Sequence, residues 1–136
     1  MTRICVDTSA YSHFKRGSPE AIDAVSRAAA VLVPSVVLGE LRSGFLMGTR
    51  PDENERALAA FLARPVVRVL GVDAEAARIY AEIYVMLRRA GTPVPTNDMW
   101  IAAVAAREGA VVLTGDRHFE AIPRVGCRVL GSASRS

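Results

Sequence analysis

Four carboxylates, Asp7, Glu40, Asp98 and Asp116, stand where a buried scaffold could turn them toward one point. Asp7 directly follows the β-rich run Ile-Cys-Val, in Asp-Thr-Ser, where an aspartate serves equally as a helix N-cap or as a site residue. Asp116 follows Val-Val-Leu-Thr in Thr-Gly-Asp, and on its own reads first as a turn aspartate. Glu40 lies at the edge of an apolar stripe formed by Val36, Val37, Leu41 and Phe45. A carboxylate there needs a partner, which could be solvent, Arg42 or a site. Asp98, in Asn-Asp-Met-Trp-Ile-Ala-Ala, falls in the first turn of a helix on the face of Ile101, Ala102 and Ala105. Favourable charge at a helix N-terminus is its alternative role. Taken together, two acids at strand ends and two on helices beside the same sheet edge could converge. Repulsion and desolvation among four carboxylates call for a hard divalent cation with oxygen ligands, and Mg²⁺ or Mn²⁺ fits.

Such a convergence needs particular elements. Arg3 to Val6, Val31 to Val33, Val66 to Leu70, Val111 to Thr114 and Arg128 to Leu130 read as five short strands. Between them, Ser18-Pro19 reads as a cap with proline in the first turn, and Ser35, Asp52 and Asp73 as further caps. Gly91 and Gly109 stand where helices should end in a left-handed residue. Strands alternating with helices predict an α/β fold with a central, mostly parallel sheet of about five short strands flanked by helices. In such a sheet, ligands bind beyond the carboxyl ends of the strands, where Asp7 and Asp116 fall.

The 136 residues allow one domain, expected over residues 1–130, with the segment 131–136 expected to fray. With 51% apolar and 23% charged residues and mean hydropathy of +0.22, the chain is too hydrophobic for disorder. No apolar run approaches the roughly 18 residues of a membrane span. The acid in the first ten residues is unlike a signal peptide, so the cytoplasm is the expected location. Cys5 and Cys127 are too few and too isolated for a disulfide framework or a zinc site, and read as small buried hydrophobes. The net charge is +3, and all but one of the 17 cations are arginines, which leans slightly toward a phosphate-bearing partner. Neither a P-loop nor a GxGxxG motif is present.

Asp-Thr-Ser after the first strand, the helix carrying VVLGEL, then TNDMWIAA and VVLTGDRHF together resemble the PIN-domain endoribonucleases, in particular the VapC-type toxins of bacterial toxin-antitoxin pairs. The likeness spans nearly the whole chain. It implies a PIN-like fold and an acidic constellation of Asp7, Glu40, Asp98 and Asp116, with Thr8, Asn97 and Thr114 as polar support. It further implies hydrolysis of RNA with Mg²⁺ or Mn²⁺. Asp7 and Asp98 are then expected as direct ligands, Asp116 as a ligand or a holder of water, and Glu40 as the group that orients or deprotonates the attacking water. A small antitoxin of the VapB type is the implied partner, with DNA reached only through it.

Tyr11, Phe14, Trp100 and Phe119 are candidates for stacking on bases, although packing is the stronger reading for each. His13 and His118 raise a rival chemistry, metal-free acid/base cleavage through the RNA 2′-hydroxyl, against which they read more simply as surface histidines. A non-catalytic partner-binding module is the other alternative. Leu38, Leu46, Phe61 and Leu62 suggest more apolar surface than one small sheet covers, which motivates a homodimer and a hydrophobic partner groove.

Overall fold

The computed structural model describes residues 2–131. The segment expected to fray therefore lies outside the described residues, apart from Gly131, whose N–H donates to Glu20 Oε1 at 3.0 Å.

Among the described residues, five strands, β1 (Arg3–Val6), β2 (Ala30–Pro34), β3 (Val67–Leu70), β4 (Val111–Thr114) and β5 (Cys127–Val129), form one sheet in the order β3-β2-β1-β4-β5. Every pairing is parallel. Burial explains the run compositions: β2 is buried throughout and β1 and β4 nearly so, which selects continuous β-branched and apolar residues rather than alternation. The last strand begins one residue before the expected Arg128.

Among the described residues, six helices flank the sheet: α1 (Thr8–Lys15), α2 (Pro19–Arg27), α3 (Ser35–Met47), α4 (Pro51–Leu62), α5 (Ala74–Ala90) and α6 (Thr96–Arg107). Ser18 and Asp73 cap α2 and α5 through their side chains, as their sequence positions predict. Ser35 and Asp52 do not cap. Pro34 and Arg50 occupy those N-cap positions, leaving Ser35 as the first helical residue of α3 and Asp52 behind Pro51 in the first turn of α4. Gly91 ends α5 at φ 68° and Gly109 follows α6 at φ 64°, conformations that a side chain would strain.

Helix α6 buries Met99 and every residue from Ile101 to Ala105. It is therefore a core helix, and its small alanines permit close approach of its neighbours. Phe61 is also core, at 4% exposure, and its ring meets Tyr11 and Phe14 edge-on. This corrects its assignment to a surface patch: Leu38 and Leu62 are partly buried against the core, and of the four residues only Leu46 is strongly exposed. Cys5 is fully buried, with its thiol pKa pushed up by burial, and Cys127 is half-buried.

Candidate active site

The order β3-β2-β1-β4-β5 makes the chain run outward from β1 to β3 and then return to the other side of β1 with β4. The crevice between the carboxyl ends of β1 and β4 is thus the point where strand order reverses, the ligand site expected for open parallel sheets. Asp7 leaves β1 there and Asp116 leaves β4 there.

Asp7 is both cap and site residue. At 5% exposure, its Oδ1 accepts from the Ala10 N–H and the Ser9 hydroxyl, each at 2.8 Å, and its Oδ2 accepts from the Thr114 hydroxyl at 2.5 Å. The first two bonds start α1, and the third ties β1 to β4. Burial raises the Asp7 pKa, these hydrogen bonds partly offset the rise, and the negative charge of Asp116 adds to it.

Thr114 relays the arrangement outward, since its Oγ1 accepts from the Asp116 N–H at 2.9 Å. Asp116 then caps a short 3₁₀ turn, Arg117–Ala121, by accepting from the His118 N–H at 2.9 Å. The turn brings His118 Nδ1 within 3.1 Å of Oδ2 of both Asp98 and Asp116. Asp98 is raised in pKa by burial, against the His118 hydrogen bond, with Asp116 and Asp7 adding repulsion.

Glu40 completes the rim. Its position on α3 lets Oε1 accept from the Thr8 hydroxyl at 2.7 Å and Oε2 from the Asn97 amide at 3.2 Å. Arg42, the alternative partner, pairs instead with Glu55. Glu40, Pro95, Thr96, Asn97, Asp98, Asp116 and His118 line an open cleft of about 410 Å³. The four acids therefore reach one region, but at two depths: Asp98, Asp116 and Glu40 face the cleft, and Asp7 lies buried beneath it. All three residues expected as polar support hydrogen-bond one of these acids.

Ser9 goes unnamed among the sequence motifs, and His118 enters them only as a candidate for metal-free acid/base cleavage. Ser9 accepts from the Gly115 N–H at 2.7 Å and thereby links the loop after β4 to Asp7. His118, read there as a surface histidine, contacts both cleft aspartates. Each stands two residues after an aspartate, the reach of a local Asx-type turn, and that spacing was the available signal. Among the described residues no hydrogen bond joins His118 to His13, whose ring packs instead over Gly115. Tyr11 and Phe119 are buried, which settles both as packing residues. Trp100 stacks on Tyr80 at 3.8 Å, and Phe14 packs edge-on against Phe61.

The donor set fits a hard divalent cation. Its carboxylates supply oxygens, burial raises the pKa of Asp7 and Asp98 with repulsion from Asp116 adding to the rise, and a positive charge would relieve that repulsion. One ligand-capable atom each from Asp98, Asp116 and His118 lie within 4.8 Å of one another.

A family model of the PIN domain matches residues 4–125. The chain belongs to the PIN-domain family. This PIN domain is 38% identical over 93 residues to Ribonuclease VapC4 of Mycobacterium tuberculosis, covering 68% of this chain and 72% of that one. It is 36% identical over 94 residues to the tRNA(fMet)-specific endonuclease VapC of Salmonella typhimurium, covering 68% and 70%. Among solved structures, DNA-bound VapBC from Salmonella typhimurium superposes with a TM-score of 0.83 at 30% identity, over 95% of this chain and 98% of that one. VapBC-5 of the Mycobacterium tuberculosis toxin-antitoxin family gives 0.74 at 32% identity, over 96% and 100%. The PIN-like fold and the resemblance to VapC-type toxins read from the motifs are both borne out.

Proposed function

We propose that this PIN domain is a Mg²⁺- or Mn²⁺-dependent endoribonuclease toxin, held inactive in the cytoplasm by a cognate VapB-type antitoxin. The observation that carries the reading is the meeting of Asp98 and Asp116 in a cleft at the β1/β4 crevice, above buried Asp7. Relatives named as ribonucleases, and solved relatives that are VapBC complexes, support it.

Asp98 and Asp116 would hold the cation directly, and Asp7 would reach it from below. When bound, the ion lowers the pKa of water and neutralises charge developing on a phosphodiester. Glu40, fixed at both oxygens by Thr8 and Asn97, would orient the attacking water and take its proton. Thr114 and Ser9 keep Asp7 and the Thr-Gly-Asp loop in register, so that the carboxylates need not reorganise when substrate binds. Hydrolysis of this kind leaves 5′-phosphate and 3′-hydroxyl ends. Single-stranded or looped RNA suits so open a cleft, with arginines tracking phosphates. DNA would be reached only through the antitoxin, and a homodimer would cover exposed apolar side chains such as Leu46, Met47, Val85 and Met86.

The test is RNA cleavage by purified toxin freed of antitoxin, with and without EDTA, followed by analysis of the product ends. Chelator-sensitive cleavage giving 5′-phosphate ends is expected. Activity that survives EDTA and yields 2′,3′-cyclic phosphate would replace this reading with histidine catalysis. The absence of cleavage at any Mg²⁺ or Mn²⁺ concentration would leave a partner-binding module.

A further inference from the structure

Among the oxygens of the cleft stands one ring nitrogen, hydrogen-bonded to Asp98 and equally close to Asp116 without a hydrogen bond to it. His118 Nδ1 is 3.1 Å from Asp98 Oδ2 and 3.1 Å from Asp116 Oδ2. As a hydrogen-bond donor, Nδ1 carries at most one N–H, which Asp98 takes, so that a hydrogen bond accounts for only one of the two close aspartates. As a ligand it accounts for both, because neighbouring donors on an octahedral cation bonded at about 2.1 Å stand about 3.0 Å apart. The spacing of His118 from each aspartate is close to that edge. The backbone fixes this placement: Asp116 Oδ1 holds the His118 N–H at 2.9 Å, and the 3₁₀ turn folds the ring back over the cleft.

We propose that His118 Nδ1 is a direct ligand of the cleft cation alongside Asp98 and Asp116, and that this nitrogen biases the site toward Mn²⁺ over Mg²⁺. The inference rests on the metal-dependent reading of the same cleft. Its chemistry is that of ligand preference: Mg²⁺ dehydrates reluctantly and favours oxygen, whereas imidazole is a good donor to first-row transition ions. A three-oxygen version of the site would discriminate less. Half of the His118 side chain is exposed, and the cleft it lines is open to solvent.

The experiment uses the full chain without a histidine tag, loaded with Mn²⁺, and reads nitrogen coupling to the ion by pulsed electron paramagnetic resonance. The chain has only two histidines, His13 and His118, so the signal can be assigned. Directly bound imidazole should appear in the wild type and in His13→Asn, and vanish in His118→Ala and His118→Asp. Mn²⁺ affinity should fall roughly tenfold or more in His118→Ala, the scale at which metal-site partners act, with Mg²⁺ affinity changing less. His118→Asp, which exchanges nitrogen for oxygen, should lower the ratio of Mn²⁺ to Mg²⁺ affinity while still binding both. Wild-type Mn²⁺ binding with no imidazole coupling, or with coupling that survives His118→Ala, overturns the assignment of His118 and leaves the metal reading standing. Failure of Mn²⁺ to bind the wild type, or binding undiminished by Asp98→Asn, sinks the metal reading and this inference with it.

Discussion

At Asp7, one carboxylate performs two tasks that the sequence presents as alternatives, because its two oxygens face different elements: Oδ1 caps α1 and Oδ2 grips Thr114 of β4. Asp98 has fewer such bonds to offset burial and the added repulsion from Asp116 and Asp7. Its folded pKa, like that of Asp7, lies above the ordinary carboxylate value. The folded protein then binds more protons than the unfolded chain between the unfolded value, about 3.9, and the raised one. Stability of the metal-free protein should accordingly fall as pH rises through that window, with the full penalty present above it. Asp98→Asn removes the charge at nearly constant shape, so the metal-free variant should melt higher than wild type at neutral pH and lose RNA cleavage. A lower melting temperature would show that helix-terminus charge outweighs repulsion at this position. Ser9→Ala acts differently, stripping the Gly115 N–H of its acceptor and Asp7 of a donor. Leaving such a group unpaired costs about 1–3 kcal/mol, which chemical denaturation should register as a lower midpoint at unchanged slope.

The loop after β4 depends on a close approach between elements. A Cβ at Gly115 would stand 2.7 Å from Nε2 of His13 on α1 and 3.4 Å from the Ser9 hydroxyl. Gly115→Ala should therefore displace the imidazole, disturb the Ser9 bond, and destabilise by about 1–3 kcal/mol, the usual cost of overpacking. Adding His13→Ala should recover part of that loss, and a double-mutant cycle giving strictly additive effects would show that the two do not meet. Contacts of this kind between α1 and the β4 loop were not legible in the sequence, which shows only local order. The strands were legible because a buried parallel sheet demands unbroken β-branched runs, and Val-Leu-Val and Val-Val-Leu-Thr can do little else. Ser35 and Asp52 misled because each looks like a cap, yet Pro51 already marks the first residue of α4 and Pro34 holds the extended conformation that precedes α3. Phe61 was placed on the surface because nothing local announces that Tyr11 and Phe14 cover it. The four acids could be found one by one, but their two depths are a property of the sheet order.

For the molecule as a whole, the site gathers side chains from segments far apart in the sequence. Asp7 comes from β1, Asp116 follows β4, Glu40 rides on α3, and Asp98 opens the buried helix α6. A cation bound there would join segments that separate completely on unfolding, so its binding energy should appear as global stability rather than as local ordering. Binding to the folded state alone at one hundred times the dissociation constant contributes about 2.7 kcal/mol. For 136 residues this corresponds to a rise in melting temperature of roughly 8–10 °C. Differential scanning calorimetry of the wild type at that excess of Mn²⁺ should show the whole transition moving together. The doubly neutralised variant, Asp98→Asn with Asp116→Asn, should begin from a higher metal-free melting temperature and shift by no more than a degree or two on adding Mn²⁺, a residue set by nonspecific ion effects. Equal shifts in the two proteins would mean that the ion stabilises the chain somewhere other than this cleft, and the acids would then have to be explained by their caps and hydrogen bonds alone.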